Sequence, residues 1–409
     1  MRQLTPHDVL VILPIGIFGI ISWSIWLYRR TMSHLAKPTI NAFTTTSSLV
    51  VPVYGEDPVV LSQCLDTWIA AGPTEIILVL DVNDHECLNM LASREKPDWV
   101  RVLVFAHRGK RSALGVGIRA ATSEIVIMAD SDTAWSPDLL RNVLMPFASG
   151  RVGGVGTRQV VAARDTSIWR RVASWLLDTR FLDYVPAMGA KGAVPCVSGR
   201  TAAYRRAVVT PLLPYLEHEV YLGRECIAGD DGRLTWLVLG TGHLTVHQGT
   251  AVAVSMFPDT FRAFVKQRIR WSRNSYRCYT TAMWKGWLWH QPFITQLTVI
   301  QNVLTPVTMG VSLLYLWFAV GRASATLAAL LVAWVFVGRA IRGLSHLREH
   351  PRDLLIVPIV VPVVILIALP IKLYAFITMN RQGWLTRDAN SVGGEGQASG
   401  SLADKSVLS

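Results

Sequence analysis

No two of the five cysteines form a CxxC pair, and none has a histidine partner at metal-ligand spacing. A structural zinc site and a disulfide framework are therefore not expected. Cys64, Cys87, Cys196, Cys226 and Cys278 read as reduced thiols filling cytosolic packing positions. Acidic charge is also short: 28 Asp+Glu face 40 Lys+Arg, leaving a formal charge of +12. That surplus favours phosphate-rich partners without saying which kind. No internal repeat is visible. What the chain has in quantity is apolar surface, with 51% hydrophobic residues, 15 tryptophans and a mean hydropathy of +0.34. Such a balance is ordinary for a membrane protein with a cytosolic domain and unusual for a soluble nucleic-acid binder, so a nucleic-acid partner is not expected.

The stretch "VLVILPIGIFGIISWSIWLY" (residues 9–28) carries no charge over the length that spans a hydrocarbon core. It is too long for a signal-peptide core and lacks a small-residue cleavage site. Arg29, Arg30 and Lys37 follow, which places the next segment in the cytosol. Residues 1–40 are accordingly read as an N-terminal membrane helix and linker.

Over residues 41–255 the pattern becomes that of a cytosolic α/β domain. β-Branched runs in "SSLVVPVYGED", "EIILVLDVND", "VRVLVFAHRGK" and "EIVIMADSD" end in turn residues and alternate with helical stretches. That alternation predicts a doubly wound, mostly parallel sheet. Ligands in such folds bind beyond the carboxyl ends of the strands, where Tyr54, Asp81, Lys110, Asp130 and Asp132 fall. Two stretches, 167–185 and 259–284, mix Arg with aromatics at helical spacing and predict helices in the membrane interface. Apolar segments near 303–320, 325–341 and 354–379 predict membrane helices within residues 291–380, the basic loop "RAIRGLSHLREHPR" being cytosolic. The tail over 381–409, rich in Gly and Ser, reads as disordered beyond about residue 388.

Chemistry is concentrated in three places. In "MADSDTAW", Asp130 and Asp132 stand two apart at the end of an apolar strand, a pairing that suits Mg²⁺ or Mn²⁺ bound with substrate phosphates. Capping of the following helix by Asp132 or Ser136 is the plainer alternative. In "AGDDGRLT", Asp230 or Asp231 is placed to act as a general base, or to cap a helix. In "KQRIRWSRNSYR" (residues 266–277), arginine can fork onto a diphosphate and Trp271 can stack a sugar ring. Nucleotide, metal, base and sugar platform together describe glycosyl transfer from a nucleoside diphosphate sugar.

In their order along the chain, "VPVYGED", "VLDVND", "HRGKRSAL", "DSD", "CVSGRTAAYRR", "GDDGRLT", "QRIRW" and "GWLTR" resemble the processive, membrane-bound family 2 glycosyltransferases. Hyaluronan synthases are the nearest kind, with chitin and cellulose synthases related. The resemblance spans roughly residues 47–387. It implies a GT-A-like fold with transmembrane and interfacial helices, and a UDP-sugar donor bound by Tyr54, Asp81, Lys110, Arg111, Asp130, Arg270, Trp384 and Arg387. It implies metal on Asp132, catalysis by Asp231 with Asp230 in support, and a growing polysaccharide bordered by Gln267, Trp271, Cys196, Ser198 and Gly199. The enzyme would be a multi-pass protein of the plasma or inner membrane, its catalytic domain cytosolic and the lipid bilayer its surroundings.

Three departures from the family pattern stand out. Gly232 separates the acidic pair from Arg233, "SGP" is replaced by Ser198-Gly199-Arg200, and one N-terminal span is visible where two are usual. Parity would leave "GWLTR" outside the cell after three C-terminal spans, so one of the C-terminal segments, the sequence not fixing which, is expected to be interfacial or re-entrant; residues 353–379 carry prolines at 358, 362 and 370. Competing readings are transfer of a single sugar to a lipid carrier, and a non-catalytic transporter or scaffold.

Overall fold

A computed structural model describes residues 17–106, 109–322 and 325–381. At its centre is an eight-stranded sheet in the order β3-β2-β1-β4-β7-β6-β10-β5. Its strands are β1 Ser47–Val53, β2 Glu75–Asp81, β3 Val100–Phe105, β4 Ile125–Ala129, β5 Thr133–Trp135, β6 Val152–Val161, β7 Thr201–Arg205 and β10 Leu244–Ser255. The two-residue strands β8 Val220–Tyr221 and β9 Arg224–Glu225 form a separate hairpin. The four strands expected from the sequence, β1 to β4, pair in parallel. β7 enters antiparallel between β4 and β6, which makes the sheet mostly but not wholly parallel.

Alternation along β1 explains why this sheet is covered on both sides. Val50 packs with Ile77, Val79, Val126 and Met128 on one face, while Leu49 and Val51 pack with Ile76, Leu78 and Ile127 on the other. Helices Pro58–Ala71 and Lys110–Ala120 cover the two faces, the first capped by Asp57 and closed by Gly72 in a left-handed conformation. All five cysteines are free, and Cys196 alone is not fully buried.

Both amphipathic stretches are helical. The first comprises Ile168–Asp178, a π-helical turn Thr179–Tyr184 and Val185–Gly189, and the second is Phe261–Trp284, capped by Thr260. Helix Ile17–Leu35 continues past the predicted end at residue 28, because Arg29 and Arg30 are not flanking charges in water. Arg29 donates to Thr298 at 3.3 Å and to Gln301, and Arg30 pairs with Asp183 and Ser345. Residues 9–16 of the expected span lie outside the described residues. The C-terminal helices are Phe293–Arg322 and Ala325–Arg342, followed by a helical stretch, Pro351–Ile377. Among the described residues that last stretch is the one long and apolar enough to cross a membrane by length and composition, where several spans were expected.

The proline-rich stretch is continuous but changes pitch, from 3-10 (Pro351–Ile356) to α (Val357–Pro362), π (Val363–Ile367) and α again (Ala368–Ile377). Proline removes an i→i−4 bond, and the neighbouring π turn absorbs the misfit. Both ends of the stretch are tied to the amphipathic helices. At one end Asp353 pairs with Arg164 and Arg171 and accepts at 2.8 Å from Nε2 of His346, whose Nδ1 faces Asp178 at 2.7 Å. At the other, Arg273 donates to Thr378 at 2.9 Å and Arg277 to the Met379 carbonyl at 3.1 Å. Asp178, His346 and His350 lie close enough to share a cation. Three arginines nevertheless already neutralise these carboxylates, since Arg158 faces Asp178 at 3.6 Å.

Asp353 is buried and serves two arginines and a histidine, so Asp353→Ala strands all of them. Thermal unfolding in detergent should register a loss of about 3–5 kcal/mol, whereas Arg141→Ala, which removes an exposed contact to Asp138, should cost less than about 1 kcal/mol. Equal effects of the two changes would mean that the clamp does not hold the C-terminal stretch in place.

Candidate active site

The carboxyl ends of β1, β2 and β4 open on one edge of the sheet and floor a cavity of about 1680 Å³. β2 delivers Asp81, which is buried and accepts from the Asn83 N–H at 2.8 Å, while its second oxygen has no hydrogen-bond partner. Tyr54 stands at the end of β1, about two-fifths exposed. Past β4 the chain turns sharply. The Asp130 N–H donates to the Arg200 carbonyl at 3.3 Å, and Thr133 N–H returns to the Asp130 carbonyl at 3.2 Å. Helix Leu139–Leu144 starts only after Asp138, so neither Asp132 nor Ser136 is its N-cap.

Lys110 begins the helix after β3 and joins the two acidic motifs. Its ammonium lies 2.6 Å from Asp130 and 3.0 Å from Asp230. Burial alone would lower the lysine pKa and raise that of Asp130. Their mutual attraction outweighs burial in both, holding Lys110 protonated and Asp130 ionised. A Cβ at Gly199 would sit 3.3 Å from both the Asp230 carboxylate and the Lys110 ammonium, a tight contact that would push on the bridge.

Asp230 and Asp231 open helix Asp230–Gly240, whose N-cap is Gly229 at φ +82°. Neither is a side-chain cap of the kind the sequence left open. Acidic groups are nonetheless favoured in a first turn by the helix dipole. Asp231 accepts from the Gly232 N–H at 2.7 Å and from the Cys196 thiol at 3.7 Å. Burial, followed by the charge of Asp230, raises its pKa, with Lys110, the Gly232 N–H and Arg180 opposing. A carboxylate raised in this way and facing a cavity is suited to accept a proton. Thr235, one turn on, accepts from the Val197 N–H at 3.0 Å and meets the Tyr204 hydroxyl at 3.2 Å. These bonds hold the Cys196–Gly199 segment against the acidic helix.

Helix Phe261–Trp284 closes the far wall. Gln267 is buried with its carbonyl oxygen unpartnered, and Arg270 Nε is likewise unpartnered, facing the four aspartates. Trp271 meets the edge of Phe257, and the guanidinium carbons of Arg268 and Arg200 lie 5.0 Å and 5.5 Å from its ring centroid.

Tyr54, Asp81, Lys110, Asp130, Asp132, Cys196, Ser198, Gly199, Asp230, Asp231, Gln267, Arg270 and Trp271 thus line one cavity. Arg111 does not join them. It is buried beneath, ion-paired with Glu219 at 2.8 Å and donating to the Leu216, Ala228 and Gly229 carbonyls, so it shapes the loop ahead of Asp230. Lys110 bridges the acidic motifs rather than meeting Asp81. The displaced Arg233 finds Glu219 at 3.3 Å. Trp384 and Arg387 lie outside the described residues. Arg180 and Glu219 carry no local motif that would mark them in the sequence, Thr235 lies inside "GDDGRLT" without a role being read for it, and Arg200 was visible only as a departure.

An open α/β sheet whose carboxyl edge carries paired carboxylates over a cavity defines a nucleotide-sugar transferase fold of the GT-A-like type. A mannosyltransferase from Pyrobaculum calidifontis, solved with GDP-Man and Mn²⁺, shares this fold with a TM-score of 0.62 at 20% identity, covering 91% of this chain and 98% of its own. The chain belongs to the glycosyltransferase like family 2, whose family model matches residues 46–274. It is similar to an N-acetylglucosaminyltransferase of Azorhizobium caulinodans, 28% identical over 85% of this chain and 88% of the relative. A type 2 glycosyltransferase of Pyricularia oryzae is 25% identical over 89% and 78% respectively. The protein is a glycosyltransferase.

The charge of Asp230 is one cause of the raised Asp231 pKa, so removing it shifts a measurable pH dependence. A base works only when deprotonated, and activity falls as pH drops through its pKa. Asp230→Asn should therefore move the acid limb of the pH–rate profile to lower pH. A limb that stays put or moves upward would show that Asp231 is not the group titrating there.

Proposed function

We propose that this is a membrane-embedded, inverting, processive glycosyltransferase that builds a β-linked polysaccharide from a UDP-sugar, nearest in kind to the hyaluronan synthases. The observation that carries the reading is the Lys110 bridge. It draws the donor-side carboxylates and the helix bearing Asp231 into one cavity, within reach of Arg270. The relatives named N-acetylglucosaminyltransferases support UDP-N-acetylglucosamine as the first donor to try.

In this reading Tyr54 stacks on the base, and the unpartnered Asp81 oxygen accepts from its ring N–H. Asp130 and Asp132 offer the hard oxygen donors that Mg²⁺ or Mn²⁺ prefers, with Asp132 at the cavity wall as the principal ligand. Such an ion would offset the charge of the leaving diphosphate. Asp231 takes the proton of the acceptor hydroxyl, which attacks the anomeric carbon from the face opposite the leaving UDP. Arg270 neutralises that diphosphate as it departs. Cys196, Ser198, Gly199, Gln267 and Trp271 border the acceptor sugar, and Trp384 and Arg387 contribute to nucleotide-sugar binding.

Membrane topology follows the same reading. Helices Ile17–Leu35, Phe293–Arg322 and Ala325–Arg342 cross the bilayer, and the stretch Pro351–Ile377 lies in the interface, bonded at both ends to the amphipathic helices. With two C-terminal crossings in place of three, the expected mismatch in parity disappears.

Purified protein given UDP-N-acetylglucosamine with Mn²⁺ should release UDP and extend product chains. Asp231→Asn should retain UDP affinity while losing turnover by at least ~10²-fold; substantial residual turnover would remove Asp231 from the role of base. Product length separates processive synthesis from transfer of one sugar to a lipid.

Trp271 separates the sugar-platform role from membrane anchoring. Trp271→Ala should leave insertion and UDP binding intact but shorten the polymer sharply, and Trp271→Phe should recover part of the length. Trp284, two-thirds exposed at the helix end, should show the reverse: Trp284→Ala affects extraction more than synthesis. Unchanged polymer length in Trp271→Ala would make the residue an anchor.

A further inference from the structure

Gly232 displaces the arginine of the acidic motif by one residue, and the helix turns that displacement into a new contact. Successive residues of an α-helix are about 100° apart, so Arg233 stands about 200° round from Asp231 in helix Asp230–Gly240. Asp231 accordingly lines the cavity and Arg233 does not. An arginine directly after the acidic pair has no room. A Cβ at Gly232 would sit 2.9 Å from the buried Cys278 sulfur.

The displaced arginine meets Glu219. One oxygen of this buried carboxylate faces Arg233 Nε at 3.3 Å, and the other faces Arg111 Nη1 at 2.8 Å. The Glu219 backbone is fixed too, since its carbonyl accepts from the Cys226 N–H at 2.8 Å across the base of the β8–β9 hairpin. Arg233 also donates to the Tyr215 carbonyl at 3.4 Å and lies 5.6 Å from the Trp287 ring centroid. None of Glu219, Arg111 and Arg233 lines the cavity. Helices Lys110–Ala120 and Asp230–Gly240 are thus linked twice. On the cavity side Lys110 holds Asp230, and on the buried side Glu219 joins the next residue, Arg111, to Arg233. A single link leaves a helix free to pivot, whereas two links on different faces fix its rotation. Asp231 lies between the two attachment points, so its carboxylate follows that rotation.

We propose that Glu219 is a positioning residue for Asp231: by joining Arg111 to Arg233 it sets the rotation of the helix that carries the base, without touching substrate itself. The inference rests on Asp231 being the base, as in the function proposed above. A misplacement of about 1 Å in a reacting group costs on the order of 10²-fold in rate, so a small rotation of this helix is felt in turnover. Donor binding, which uses other residues of the cavity, is not.

A double-mutant cycle separates positioning from plain structural support. Glu219→Gln, which keeps the shape and removes the charge, is placed in the wild-type chain and in Asp231→Asn. Turnover of UDP-N-acetylglucosamine is then measured per molecule competent to bind UDP, with full-length protein in detergent. In the wild-type chain kcat should fall about tenfold or more, while UDP affinity stays unchanged. In Asp231→Asn the same change should lower the residual turnover by less than about twofold, because no base is left to misplace. Arg233→Gln should reproduce this pattern, and it carries the comparison should Glu219→Gln not fold. Arg233→Lys, which keeps the charge, should retain more turnover than Arg233→Gln. Equal losses in the two backgrounds would overturn the proposal and leave Asp231 as the base, as would unchanged kcat in folded Glu219→Gln and Arg233→Gln. Wild-type turnover in Asp231→Asn alone would remove the base itself, and the role of Glu219 with it.

Discussion

Four carboxylates meet at the edge of this sheet, and one ammonium makes that possible. Asp130 and Asp132 arrive from the end of β4, and Asp230 and Asp231 from the start of a helix about a hundred residues later. Brought together in a cavity with limited water they would repel one another and take up protons. Lys110, itself from a third segment, lies between Asp130 and Asp230 and converts that repulsion into a cross-link. The consequence reaches Asp231. It is left as the acid with a raised pKa, close to Asp230 but not in direct contact with the lysine. One salt bridge thus separates Asp130, held ionised by Lys110, from Asp231, which is suited to proton transfer. The absence of a side chain at Gly199 leaves room for that bridge.

The basic, aromatic helix Phe261–Trp284 divides its residues between two tasks. Gln267, Arg270 and Trp271 face the cavity, whereas Arg273 and Arg277 point to the end of the C-terminal stretch. Arg277 joins the two, because it also donates to the Ala228 carbonyl at 3.1 Å, two residues before Asp230. The surplus of positive charge in this chain is therefore largely internal here. It holds the apolar C-terminal stretch against the acidic site rather than coating a surface.

Much of this was legible in the sequence because it is local. Four β-branched runs became four parallel strands, and their polar ends fell at the cavity because a parallel sheet puts all its carboxyl ends on one edge. Amphipathic spacing located both Arg- and aromatic-rich helices within a few residues. Side-chain pairing between distant segments was not legible. "HRGKRSAL" gives no sign that its lysine will face aspartates while its arginine turns inward to Glu219. Nor does Arg180 carry any motif, since a π turn in an amphipathic helix is what aims it at the cavity. The boundary of the first helix was missed for the same reason. Arg29 and Arg30 look like a cytosolic flank until their partners at Thr298, Gln301, Asp183 and Ser345 appear.

The stretch Pro351–Ile377 shows why hydropathy and location are separate questions. Twenty-seven residues at ~1.5 Å each reach about 40 Å, longer than a hydrocarbon core requires. Length and composition therefore pass it as a span. A spanning helix must nevertheless leave its two ends on opposite sides of the bilayer, and here both ends are bonded to helices that flank one catalytic domain. Along its course Ile356, Val357, Val360 and Val361 pack into the same core as Val172, Trp175 and Phe264. Leu354, Leu355, Leu366 and Ile377 remain exposed on its other side. An apolar helix with one face in a protein core and the other uncovered, anchored by charged side chains at each end, is the pattern on which the interfacial placement proposed above rests. Its prolines suit that position, because a 3-10 and a π turn let the helix follow a curved domain surface instead of a straight path through the bilayer.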